Sequence, residues 1–386
     1  MSMKILFAAD MSFNYFDGFP GSEKASLAMA EAAELFRKAD YSILNLENIF
    51  GNKEKGEPIL KSGPNLISED CFWEYIYALD PDIVGLANNH TKDYGEEPMF
   101  HTIRMLSDRG YTCIGAGRNL KEAYQPAKVS KDGVQAAVIA VCENEFGGAT
   151  VSRSGTAGYR LGMVSAAIRK AREEGYWPII YFHGGNEKNP FPSPGKVELY
   201  RHFIDMGAEA VIAMHTHCPQ GYEFYQDKPI VYSMGNFFFP TYKQQVKSWF
   251  YGYMSELELT EDGVGLEIHP YKFDFDQLTV LKGEEKNKFF EYMRCLCEPI
   301  SNPGELQNLF DSWCLTQGYA EILTRYKAEL FADGHACEVK GLKNLFCCEA
   351  HNELMKNTFE MLFESRVEEA RPGMERIYRL QNMEYL

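Results

Sequence analysis

Five hydrophobic runs in this 386-residue chain end in residues able to ligate a metal. Asp10 follows KILFAA, Glu47 follows YSILNL, and Asn88-Asn89-His90 follow DIVGLA. His183 follows WPIIYF, and Met214-His215-Thr216-His217 follow AEAVIA. Carboxylate, amide and imidazole donors suit Zn2+, Mn2+ or Fe better than a soft thiolate centre does. An open α/β sheet gathers its site at the carboxyl ends of its strands, so residues far apart in the chain can meet there. Two metals held in this way activate water and grip phosphoryl oxygens on both sides of a displacement. Metal-dependent hydrolysis is therefore the chemistry expected.

Each residue also has a plainer reading. His215 and His217 at i,i+2 share a face if they lie on a strand, but packed or exposed histidines have the same spacing. Asp10 alone is a cap or turn residue, and Glu47 a surface ion-pair partner. His90 alone is the cap of a helix beginning near Tyr94. Asp93, three residues after His90, is placed to orient its imidazole. Lys61 in KSGPNL and Arg160 in GTAGYRLG are the candidate anion-binding cations.

The elements that must position these residues are legible as apolar runs. Strands are expected at 4–9, 41–46, 82–87, 177–182 and 208–213, with a short one at YTCIG. Helices are expected at 23–39, capped by Gly21 or Ser22, and at 69–78, 96–109, 163–174 and 196–206. Hairpins are expected through Lys131-Asp132-Gly133, Gln226-Asp227 and Glu261-Asp262-Gly263. Strand and helix alternate first and antiparallel strands follow, which predicts a layered α/β sandwich with mixed sheets. Segments 284–297, 304–315, 318–331 and 350–376 read as helical. The expected division is an α/β domain over 1–280 and a helical C-terminal appendage over 281–386.

The composition is that of a folded globular protein: 45% hydrophobic, 24% charged and 14% aromatic. Lys+Arg 39 against Asp+Glu 55 gives a net charge of −16. That field disfavours nucleic acid as a partner, although bound cations would invert the sign locally and admit a phosphate ester. None of the ten cysteines forms a CxxC pair, which fits reduced thiols. Neither Cys347-Cys348 nor Cys295/Cys297 has neighbours that complete a metal site. The opening MSMKILFAAD carries too short an apolar run for a signal peptide, and no stretch approaches a membrane span. A cytoplasmic location is expected, and the sequence leaves the oligomeric state open.

The order AAD, NLE, NNHTKDYG, IGAG, HGGNE, MHTH and KPIVYSMGNFFF resembles the bacterial capsule synthesis protein family, CapA or poly-gamma-glutamate biosynthesis type. That family is part of the calcineurin-like metallophosphoesterase superfamily, and the resemblance covers roughly residues 4–240. It implies Asp10, Glu47, Asn89, His183, His215 and His217 as metal ligands, with Glu47 bridging. His90 and Asp93 would act on the substrate, and Glu187, in the family's Glu position, and Asn236, facing the same end of the sheet, would be substrate-binding residues with Lys61 and Arg160. The superfamily's opening Asp-x-His is Asp10-Met11-Ser12 here, so one imidazole is missing. A phosphoesterase is the leading expectation. The alternatives are a non-catalytic accessory protein of polymer synthesis with a partly degraded site, and an amide hydrolase acting on γ-glutamyl-type substrates. Substrates would be small-molecule or polymer-derived phosphoesters or glutamyl compounds. One or two divalent ions (Mn, Zn or Fe) would be the cofactor.

Overall fold

The computed structural model describes residues 2–14, 19–52, 56–243, 245–318 and 336–385. Two mixed sheets face each other. The first runs Leu278–Val280, Gly263–Phe273, Tyr251–Thr260, Ser2–Met11, Tyr41–Leu46, Ile83–Gly85 and Thr112–Ile114, and Asn236–Phe238 also pairs with Ser2–Met11. The second runs Tyr222–Tyr225, Lys228–Val231, Ala210–Met214, Trp177–His183, Val134–Cys142 and Ala127–Lys131. Both are parallel at the centre and antiparallel toward the hairpin edges. Central parallel strands are covered on both faces, which is why runs such as KILFAA and VIAV are continuously apolar.

The sheets meet through Tyr181, whose hydroxyl donates to Ala8 O at 2.5 Å and whose ring lies 5.7 Å from that of Phe7. Gly85 makes this approach possible, because a Cβ there would sit 2.8 Å from the Tyr181 ring. Helix Ser22–Lys38 covers the first sheet with Ala25, Ala28, Met29, Ala32 and Phe36. Helices Leu161–Glu173 and Pro194–Asp205 cover the second. The result is the expected layered α/β sandwich with mixed sheets.

The three hairpins fall where their turn residues place them. Asp132, Gly133, Gln226 and Asp227 all take the positive φ that tight hairpin turns require. The 69–78 segment divides into a 3-10 turn, Asp70–Phe72, and a helix, Trp73–Leu79. Beyond the sheets a distinct helical region begins with Gly283–Cys297 and Pro303–Gln317. The expected helix at 318–331 lies outside the described residues, apart from Gly318. The single helix expected at 350–376 is two, Glu349–Phe363 and Val367–Gln381. Ser365 turns left-handed between them, and Arg366 pairs with the buried carboxylate of Asp311. That long-range ion pair is what local periodicity does not reveal.

Candidate metal centre

Parallel pairing sets the first half of the site. The ladder puts Asp10 beside Asn45 on one side and Asn236 on the other. Asn45 Nδ2 donates to Asp10 Oδ1 at 2.7 Å, and the backbone N–H of His215 donates to Oδ2 at 2.9 Å. Glu47 lies just past its strand, anchored by its N–H on Met11 O at 2.9 Å. On the second sheet, His183 ends its strand level with Met214.

His215 and His217 converge for a reason other than the expected one. Strand Ala210–Met214 stops before them, so they do not share a strand face. Instead His215 has φ 98° and His217 φ 56°, two left-handed residues in a sharp turn. Such a backbone is unfavourable for bulky side chains and persists where the surroundings over-determine it. His90 does not cap a helix either: helix Glu96–Ser107 is preceded by Gly95, and His90 sits in the turns before it.

His183 Nε2 is the focus of one group of atoms. It lies 2.9 Å from His215 Nδ1, 3.2 Å from Asn89 Oδ1 and 3.6 Å from Glu47 Oε1. A second group contains Asp10, Glu47 and His217, with His217 Nε2 3.9 Å from Glu47 Oε1. His217 is oriented by Asn236, whose Oδ1 lies 2.8 Å from its Nδ1, and its ring packs on Trp249 at 4.6 Å. The two groups, Glu47-His183-His215 and Asp10-Glu47-His217, are each tight enough to hold one ion, and they share Glu47. Both oxygens of Glu47 are buried with no hydrogen-bond partner. An orphaned buried carboxylate between two sets of imidazoles fits divalent cations by charge and by donor type. Ser12, where the superfamily's imidazole would stand, is buried and its hydroxyl has no partner. The Asp10 side of the pair therefore has fewer donors.

His90 stands beside the two groups, with Nε2 3.8 Å from Glu47 Oε1. Its Nδ1 is 2.6 Å from Asp93 Oδ2, so the carboxylate orients the ring. Lys61 is at the site, but its charge is spent internally: Nζ is 2.6 Å from Asp93 Oδ1 and 3.1 Å from both His90 Nδ1 and Asn89 O. Glu187 is exposed, and its charge is felt by Glu47 and Glu145, which places it at the rim. Arg160 is not brought in: it precedes helix Leu161–Glu173 and donates to Ala149 O at 3.4 Å. No cysteine belongs to any metal-capable group among the described residues.

Sequence reasoning missed Asn45, Glu143 and Glu145. Yet Glu143-Asn144-Glu145 follow strand Val134–Cys142 just as the other ligand segments follow theirs, so the same signal was present. Glu145 Oε1 lies 3.7 Å from His215 Nε2 and accepts from Asn89 Nδ2 at 3.4 Å. Helices near the C-terminus seat on this loop. Glu349 accepts from Asn144 N at 2.8 Å and from its Nδ2 at 2.6 Å, and Lys343 donates to Glu145 O at 3.1 Å.

Burial dominates the electrostatics. It holds Glu47 well above the usual carboxylate range, with Asp10 and Glu187 adding and Lys61 opposing. Burial, then Glu187 and Glu143, push Glu145 up to about 8. Burial and Lys61 bring His90 down to about 4, and burial with its neighbouring imidazoles lowers His215 far below its usual value. A consequence for stability follows from the signs. The stabilising effect of protonated Glu145 is fully present below its ordinary value of 4.5 and is lost as pH rises through about 8. His90 acts oppositely, but only below its ordinary 6.5. Between these limits, from pH 6.5 to 8, the carboxylates act alone. The Tm of chelator-treated protein should fall across that window, and added Mn2+ should flatten the slope. A Tm that rises with pH in chelator would contradict the assignment.

The mixed sandwich with two ligand groups sharing a carboxylate at its strand ends defines the class: a fold resembling the calcineurin-like metallophosphoesterases. The family model for the bacterial capsule synthesis protein PGA_cap matches residues 14–241, more than half the chain, and the protein belongs to that family. It is 28% identical over 163 residues to the capsule biosynthesis protein CapA of Bacillus anthracis, covering 41% of this chain and 40% of that one. It is 26% identical over 214 residues to the PGA biosynthesis protein CapA of Bacillus subtilis, covering 53% and 54%. A probable polyglutamine synthesis accessory protein of Mycobacterium tuberculosis is 28% identical over 172 residues, covering 41% and 45%. The chain thus spans about two fifths to just over half the length of these relatives. No helix among the described residues is long and apolar enough to cross a membrane.

Proposed function

We propose that the protein is a metal-dependent hydrolase, most readily a phosphoesterase, serving capsule polysaccharide or poly-gamma-glutamate biosynthesis. The observation that carries this reading is the pair of ligand groups sharing the unpartnered carboxylate of Glu47. In the proposal Asp10, Glu47 and His217 hold one divalent ion, and Glu47, Asn89, His183 and His215 hold the other. When bound, such a pair supplies Lewis acidity and an activated water. The chain's own residues do the rest. Asp93 keeps the His90 proton on Nδ1 and turns Nε2 toward the site. His90 is neutral at pH 7 on its own. A phosphate dianion beside it favours the imidazolium, so substrate raises the fraction of charged ring that can protonate the leaving oxygen. Lys61 holds Asp93 in place.

The test is metal content after purification without chelator, followed by turnover of p-nitrophenyl phosphomonoester and phosphodiester with added Mn2+. Turnover that depends on Mn2+ and is lost in Asp10→Ala and His215→Ala supports the reading. Turnover unchanged in both variants would remove it. Ser12 favours a second reading, an accessory protein with one depleted metal position. That reading predicts metal binding without hydrolysis of phosphoesters or of a γ-glutamyl anilide.

A further inference from the structure

We infer that Glu145 is the positioning residue of one metal, a single carboxylate that aims two of its ligands. This rests on the metal-centre reading above and extends it to a residue outside the proposed ligand set. Glu145 Oε1 faces both His215 Nε2, at 3.7 Å, and Asn89 Nδ2, at 3.4 Å. The opposite atoms of those two side chains, His215 Nδ1 and Asn89 Oδ1, are the ones that approach His183 Nε2. An acceptor at that point therefore settles two ambiguities at once. At 3.7 Å from Nε2 it is an electrostatic partner rather than a hydrogen-bonded one, and once a bound cation ionises it, it favours the His215 tautomer with its proton on Nε2, leaving the Nδ1 lone pair for the metal. It also fixes the Asn89 amide with nitrogen outward and oxygen inward. A metal-bound imidazole that donates its other N–H to a carboxylate is held in orientation and made more basic.

The position of Glu145 is itself secured from outside the sandwich. Its carbonyl accepts from Lys343, and the preceding Asn144 is clasped twice by Glu349. Both lie in helices, Ala336–Cys347 and Glu349–Phe363, that fall beyond the family match. These helices therefore bear on the metal centre through the loop that carries Glu145.

Titration calorimetry with Mn2+ on the full chain tests the inference. Glu145→Ala should weaken one Mn2+ site about 10–100-fold while leaving the other and the far-UV circular dichroism unchanged. Glu145→Gln keeps an acceptor oxygen, so it should recover much of the affinity. In Zn2+-loaded protein the ring N–H proton resonance of His215 should be lost in Glu145→Ala and kept in Glu145→Gln. Wild-type affinity and an unchanged His215 resonance in Glu145→Ala would overturn the inference and leave the metal centre standing. A wild type that binds Mn2+ but hydrolyses nothing would remove the enzymatic reading alone. A wild type that binds no Mn2+ would overturn both.

Discussion

Glu47→Gln is expected to empty or weaken both metal positions together and to lower turnover by at least about 100-fold, the upper end of what losing even an outer-shell partner costs. The reason is stoichiometric. A carboxylate offers an oxygen to each of two ions, whereas an amide offers one ligating oxygen and no negative charge. Loss of Asp10 or His183 would affect one ligand group, but Glu47 belongs to both. Metal content by elemental analysis should fall from the wild-type value, and added Mn2+ should not restore turnover. The same substitution is expected to stabilise the metal-free fold. Glu47 is fully buried, its oxygens are unpartnered, and its ionised form is disfavoured by burial and by Asp10. At a pH high enough to ionise Glu47, exchanging its unsatisfied buried charge for a neutral amide contributes roughly 1–3 kcal/mol. Thermal melting in chelator should thus show a higher Tm for the variant. A lower one would mean that Glu47 is held by something other than metal.

The largest loss of stability is expected at Lys196→Met. Lys196 lies in the first turn of helix Pro194–Asp205, is buried, and pairs with the equally buried Glu143, with its Nζ 4.9 Å above the Phe182 ring. Burial is the strongest single influence and opposes the charge on Lys196, but Glu143 together with Tyr200 and Glu353 outweighs it and holds the ammonium above its usual value. Removing the cation leaves the buried Glu143 without its counter-ion, a change that costs about 3–5 kcal/mol. Urea denaturation in chelator should show this as a lower midpoint at an unchanged slope. Adding Glu143→Gln should recover a large part, because the orphaned charge is then gone. A midpoint within error of wild type for Lys196→Met would show that water reaches the pair.

The sandwich was legible because its signals are local. Continuous apolar runs marked the parallel strands, and Asp132-Gly133 and Gln226-Asp227 marked hairpins whose left-handed residues few other sequences tolerate. Asp10, Glu47, Asn89 and His183 could be gathered as candidates because the chain leaves each strand at one end of a sheet. The meeting of His215 with His217 was expected for the wrong reason. Strand periodicity predicts a shared face only while the strand lasts, and here it ends at Met214. Glu145 obeyed the strand-end rule but had no histidine beside it to draw notice. The clasp of Asn144 by Glu349 joins residues 205 apart, and the Asp311–Arg366 pair likewise crosses two helices. No pattern within a window of sequence carries such pairings, since they depend on how finished elements dock.

The two left-handed histidines have a further meaning for how the protein tolerates change. At His215 and His217 the backbone demands what glycine or asparagine would give freely, while the proposed metal role demands an imidazole. Drift toward the conformationally easier residue would relax the loop and forfeit a metal donor in one step. A lineage that gave up its metal would be expected to shed the awkward geometry along with it. On the proposed reading, two histidines in so uncomfortable a turn are what a demand for ligands would set above the comfort of the chain.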